Sequence, residues 1–217
     1  LPKPTMETMF SVEELKNKSV DEILLGRFKN YCGKTYRQIC AMLNIEPSTS
    51  KSKYFIISNT IAGKGNVGNV NKSEEFEKSG LTMKTIRIKK TGSIKEAMSF
   101  ENIDYQEVFD CEEWTDSRLY ELFTNRFLFV IFRETDNMLQ LPNGKAEPEY
   151  KLEKIAFWTM PQEDLQMAQR YWNNIRQNVL DNHIAPQYFW SAKDDKNFHV
   201  RPKARVANEM TENPNGG

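Results

Sequence analysis

The chain has 217 residues, long enough for one domain, or at most two small ones, with a real core, and its 39% hydrophobic content is that of a globular chain rather than a disordered one. Its 30 Lys and Arg are balanced by 30 Asp and Glu, which argues against a generic polyanion binder while leaving room for a basic DNA-binding face. No apolar run approaches the roughly 20 residues of a membrane helix, and Cys32, Cys40 and Cys111 have neither metal spacing nor the even count of a disulfide framework, so they read as core thiols in a reducing compartment.

The start, LPKPTMETMF, lacks a basic region followed by an apolar stretch and reads as a linker or boundary. With the turn-forming Pro214–Gly217 at the other end, it suggests a piece of a longer protein. Three Ser/Thr-x-x-Glu/Gln patterns then predict capped helix starts: Ser11 with Glu14, Ser19 with Glu22, and Thr35 with Gln38. The third leads into Tyr36, Ile39, Cys40 and Leu43, the stripe of one buried face. The first 45 residues are therefore expected to be helical, with Pro47 as a stop. Lys53–Ser58 (KYFIIS) reads as a short strand.

Gly63–Gly68 matches G-x-G-x-x-G, but the NVNKSEEFEKSG that continues from it carries too few apolar residues for the amphipathic helix a dinucleotide site requires. It is read as a loop. Glu74, Glu75 and Glu77 are by spacing alone a solvated face. Further strands are expected at Thr82–Lys89, at Phe127–Phe132 (buried on both faces) and at Leu152–Trp158, with a helix over Asp116–Thr124. Pro161 opens a long helix whose stripe is Leu165, Ala168, Trp172, Ile175 and Val179, and Pro186 stops the segment after it. Asn197–Val200 reads as a last strand, with Phe198 and Val200 on one face and His199 and Arg201 on the other. This alternation predicts an α/β or α+β fold with a mixed central sheet flanked by helices. His183 and His199 are the only histidines, and no metal-ligand cluster surrounds either.

One segment carries more specific chemistry. Many metal-dependent nucleases place an acid and then, after a gap, Glu-x-Lys on a strand. The two-residue period sets Glu and Lys side by side, the two carboxylates hold a divalent metal, and metal and lysine stabilise the attacking water and the phosphate charge. In EEFEKSGLTMKTIR, Lys84 has such a neighbour two residues earlier, but that neighbour is Thr82.

Glu75-Phe76 followed by Gly80-Leu81-Thr82-Met83-Lys84-Thr85-Ile86 resembles the active-site strand of the MutH family. That family includes a mismatch-repair nicking enzyme and GATC-cutting type II restriction endonucleases. Phe198-His199-Val200-Arg201-Pro202-Lys203-Ala204 is similar to the family's apolar-Arg-Pro-Lys-Ala segment, a strand-loop that reads bases. Weaker matches at Lys95–Phe100, Trp114–Phe132 and Phe157–Pro161 keep the family's order across residues 20–208. The forms EFEKSG, MKTIR and WTDSRLYELF look most like the second, C-terminal half of the restriction enzymes, a regulatory half that keeps the fold.

The resemblance implies a single MutH-like, restriction-endonuclease-like domain over residues 1–217, taken from a longer two-domain bacterial cytoplasmic enzyme. Its partners would be double-stranded GATC DNA, the N-terminal catalytic domain of that enzyme and, in a dimer on DNA, a second copy. Arg201, Pro202, Lys203 and Arg205 would contact DNA, with Lys84 and the nearby Arg87, Lys89 and Lys90 extending the basic face. Glu75 falls on the family's metal-binding Asp, Thr82 replaces the Glu of Glu-x-Lys, and Lys84 is kept. The family's first-helix glutamate falls near Ala41 and its later lysine near Phe123. The site Glu75, Thr82, Lys84 is thus expected to be degenerate: no metal in this domain, Mg²⁺ in the parent enzyme, and no cleavage by this domain. The alternatives are a working Mg²⁺-dependent nuclease built on Glu75 and Lys84, and a protein–protein module that inherited the fold.

Overall fold

The computed structural model describes residues 8–65, 68–194 and 197–200. Local signals near the start are realised as expected. Helix α1 (Val12–Asn17), α2 (Val20–Lys29) and α3 (Tyr36–Leu43) each begin with a complete capping box, at Ser11/Glu14, Ser19/Glu22 and Thr35/Gln38. Each hydroxyl takes a backbone N–H that the first turn leaves unpaired, and the Glu or Gln returns to the cap's own N–H. Asn44 closes α3 in the left-handed region (φ 55°), a conformation Asn tolerates better than most residues.

Glu14 does more than cap. Its carboxylate accepts from the Ser11 N–H and pairs with Lys64 (2.9 Å) and Arg27 (3.2 Å), and these partners hold its pKa down at about 2. A folded pKa below the ordinary 4.5 adds stability that is complete above 4.5 and lost as pH falls toward 2. Denaturant midpoints of the parent and Glu14→Gln are therefore expected to differ at neutral pH and to converge across that acid window.

Lys53–Ser58 is not a strand. It is the first half of α4 (Lys53–Gly63). The buried positions Tyr54, Ile57, Ser58, Ile61 and Ala62 follow a helical period, whereas Ile56, which a strand would place beside Tyr54, is 43% exposed. A short apolar run carries no period of its own, and the sequence through Ile61 and Ala62 extends it to helical length. The Ser58 and Thr60 hydroxyls return to the carbonyls of Tyr54 and Ile56 four residues back, so the helix satisfies its own polar side chains.

A short helix α5 (Glu74–Lys78) leads into strand β1 (Leu81–Ile88). After α6 (Tyr105–Asp110) and α7 (Arg118–Thr124) come β2 (Arg126–Gln140) and β3 (Ala146–Thr159), longer than their apolar cores suggest, and then α8 (Gln162–Leu180). The sheet order is β1-β2-β3, with β1 parallel to β2 from Leu81↔Arg126 to Ile88↔Arg133. A turn whose Leu141 N–H reaches the Lys145 carbonyl joins β2 to β3, and the cross-strand contacts Arg133–Glu153 and Thr135–Glu149 run in opposite chain directions. The sheet is therefore mixed, as expected.

The chain divides into two compact units, one from residues up to Ser99 with Arg126–Trp158, the other from Phe100–Asn125 with residues from Thr159 on. In the first, Leu81 and Met83 of β1 and Leu128, Val130 and Phe132 of β2 form one core with the inner faces of α2, α3 and α4. Tyr54 lies at its centre, 5.2 Å from the Tyr36 ring, 4.9 Å from Phe132 and 5.7 Å from Tyr150. The second unit closes around α8. Its predicted stripe buries Ala168, Trp172, Ile175 and Val179, with Val108 of α6 and Phe189 against it.

Asn197–Val200 forms no strand. Phe198 and Val200 do pack against the second core, and the Val200 N–H donates to the Trp190 carbonyl, but no neighbouring strand among the described residues supplies a ladder. His199 between them is half-buried as well, with its Nδ1 enclosed, so the segment does not alternate as a strand would; strand identity needs a partner, which four residues do not specify. No helix among the described residues is long and apolar enough to cross a membrane.

Candidate nucleic-acid interface

Strand β1 turns two faces to different surroundings because successive side chains alternate. Leu81 and Met83 enter the first core. Thr82 and Lys84 share the other face, where the parallel register sets Thr82 beside Phe127 and Lys84 beside Phe129. Those phenylalanines stack on each other at 5.7 Å and meet Trp158 at 5.9 and 5.5 Å, so Lys84 rises from an aromatic floor. Its ammonium donates to the Ser99 carbonyl at 2.9 Å. Thr82, a neutral hydroxyl beside Lys84, occupies the place where Glu-x-Lys chemistry needs a carboxylate.

Glu75 is the departure from its spacing. Glu77 is exposed and Glu74 pairs with Lys78, but Glu75 is buried on the inner side of α5. Its Oε1 accepts from the N–H groups of Met9 (2.7 Å) and Phe10 (2.9 Å). Its other oxygen is enclosed and takes no hydrogen bond from the described residues. No group of three or more His, Cys, Asp or Glu side chains placed to hold a metal occurs among the described residues. Of the three positions singled out by sequence, Thr82 brings no charge, and one oxygen of the Glu75 carboxylate accepts two backbone N–H groups. Ala41 is a solvent-facing position of α3 and Phe123 a buried one in the second unit, so neither restores a charge.

The expected basic face around Lys84 is not assembled as the sequence suggested. Arg87, three residues on, points to the opposite side of β1, over the rings of Tyr54 (5.2 Å) and Tyr150 (5.8 Å), and pairs with Glu96 at 2.6 Å. An odd spacing in a strand changes face. Lys89 lies beyond the strand's end, and Lys90 pairs with Asp136. Sequence reasoning missed the cluster that Arg87 joins. The buried Lys53 pairs with Glu147 at 2.8 Å, and Lys95 sits 5.2 Å from the Tyr150 ring with its pKa lowered by burial and then by Arg87. A cleft of about 380 Å³ in the second unit is lined by the acids Glu101, Asp104 and Glu107 and by Arg118, which is itself paired with Glu101 and Glu121, so the lining is acidic on balance and disfavours a phosphate. Arg201, Pro202, Lys203 and Arg205 lie outside the described residues.

The fold and the β1 motif agree with what comparison finds. Residues 66–170 match the family model described as MutH, DNA mismatch repair enzyme MutH. Over that stretch the chain is similar to MutH, and its mixed α/β architecture is consistent with a MutH-like restriction-endonuclease fold. Among individual proteins it is similar to the type II restriction enzyme Sau3AI of Staphylococcus aureus, with 28% identity over 214 residues. That match covers 87% of this chain but only 42% of the relative, so the chain spans less than half of that enzyme.

Proposed function

We propose that this chain is a GATC-recognising DNA-binding module of the restriction-enzyme type, which does not itself cut. It would act as an effector for a separate catalytic half, the Mg²⁺-using part of the parent enzyme. The observation that carries the reading is the contrast within one MutH-like chain. The strand that would do the chemistry has Thr82 for a ligand, while the base-reading segment keeps Arg201, Pro202 and Lys203. Similarity to a type II restriction enzyme supports a DNA-related function for the whole. Enzymes supply accelerations of about 10⁶–10¹⁷-fold, and phosphodiester hydrolysis calls for the upper end of that range, which a site short of a metal-binding carboxylate cannot reach.

Arg201 has the donor fork to bridge O6 and N7 of a guanine, the Pro202 ring restricts the backbone φ beside it, and Lys203, Arg205 and Lys84 would meet phosphates. A gel shift of this chain with a GATC duplex and a scrambled control is expected to favour GATC. The binding constant should fall with salt at a log–log slope of about −0.9 per phosphate contacted. Incubation with GATC-containing plasmid and Mg²⁺ is expected to leave the plasmid intact. Cutting that vanishes in Lys84→Ala would instead establish a working nuclease built on Glu75 and Lys84. No shift of either duplex at low salt would favour a protein–protein module.

A further inference from the structure

Glu75 stands where the MutH family carries a metal-binding acid, and its surroundings give it other work. We infer that Glu75 anchors an N-terminal clasp, and that the segment around Met9 and Phe10 must be displaced before a divalent cation can reach the carboxylate. Met9 is gripped at both ends of its own backbone unit. Its N–H donates to Glu75 Oε1 at 2.7 Å, and its carbonyl accepts from Arg27 Nη2 at 3.0 Å. The Phe10 N–H donates to the same Glu75 oxygen at 2.9 Å, and the Arg27 guanidinium lies 4.5 Å from the centre of the Phe10 ring.

The grip is set inside the first core. Met9 and Phe10 are buried there, and Arg27 is only 6% exposed. Arg27 also donates to the Ala62 carbonyl near the end of α4 and pairs with Glu14 of α1. The clasp therefore ties α1, α2 and α4 to α5. Only Ser79 and Gly80 separate α5 from β1, so the anchored carboxylate also fixes the entry of the strand that carries Thr82 and Lys84.

Hydrogen bonds to an ionised acceptor are roughly twice as strong as neutral ones. A cation that captured Glu75 would break two of them and leave two N–H groups unpaired in an apolar setting. The carboxylate's second oxygen is enclosed, so it offers no open side from which to bind first. In this arrangement two peptide N–H groups stand where the family's acid would meet a metal.

The test is amide hydrogen exchange on the full chain, with Mn²⁺ as the divalent probe and no DNA, so that its outcome is separate from duplex binding. In the parent, the Met9 and Phe10 amides are expected to exchange slowly, at rates unchanged by Mn²⁺. In Glu75→Ala both should speed up by about tenfold or more, the scale of one charge-assisted hydrogen bond, while the Met83 and Val130 amides keep their rates. Glu75→Gln retains the shape and an acceptor oxygen, and is expected to accelerate the same two amides by a smaller factor. It stands in for Glu75→Ala if that variant fails to fold. Unprotected Met9 and Phe10 amides in the parent, unchanged rates in the folded variants, or acceleration of the parent by Mn²⁺ would each overturn the clasp.

Discussion

Tyr54→Ala is expected to cost about 3–5 kcal/mol of stability, whereas Ile56→Ala, two residues on, should stay within about 0.5 kcal/mol. The contrast arises from α4 being a helix. Tyr54 is 2% exposed and packs its ring against Tyr36, Phe132 and Tyr150, joining three elements of the first core. Truncation would open a cavity among rings and leave the Arg87 guanidinium, now 5.2 Å from the Tyr54 ring, beside that space. Ile56 is 43% exposed on the outer face. A strand would have put both side chains on one face and made both truncations costly. At roughly 2–4 °C per kcal/mol for a chain of this length, the Tyr54 variant should melt on the order of 6–20 °C lower. Thermal unfolding of the two variants side by side reads this directly.

The same segment marks what could be read from sequence and what could not. The three capping boxes were legible because a cap is chosen by residues three positions apart, and no tertiary partner is needed to complete it. The α8 stripe was legible because 19 residues give the helical period several repeats. KYFIIS offers no repeat, and tertiary burial decided it. Glu75 fails to announce itself for another reason. Its partners Met9 and Phe10 lie 66 and 65 residues away, so the bare spacing of Glu74, Glu75 and Glu77 describes only a solvated face. Thr82 and Lys84 were placed on one face of β1 by strand period alone, but that period also separates Lys84 from Arg87, and the sequence reading of a shared basic patch overlooked it.

Arg201→Ala is expected to reduce the preference for a GATC duplex over a scrambled one by about 5- to 150-fold, corresponding to the roughly 1–3 kcal/mol of a bidentate arginine–guanine contact. The prediction separates two kinds of basic residue in one short segment. On the proposed reading Lys203 and Arg205 meet phosphates, so Lys203→Ala and Arg205→Ala should weaken both duplexes alike and each reduce the salt slope by about 0.9. Arg201→Ala should instead weaken chiefly the GATC complex, because a scrambled duplex does not present guanine where the arginine is aimed. Equal loss on both duplexes would make Arg201 one more phosphate contact, and sequence reading would then have to come from elsewhere in the chain. A neutral protein makes the comparison sharp: with 30 cations against 30 acids, the chain's net charge supplies no general attraction to DNA. Discrimination would therefore come from where particular cations are held, and on the proposed reading it is the place of Arg201 in the Arg-Pro-Lys segment that aims its fork at a base edge.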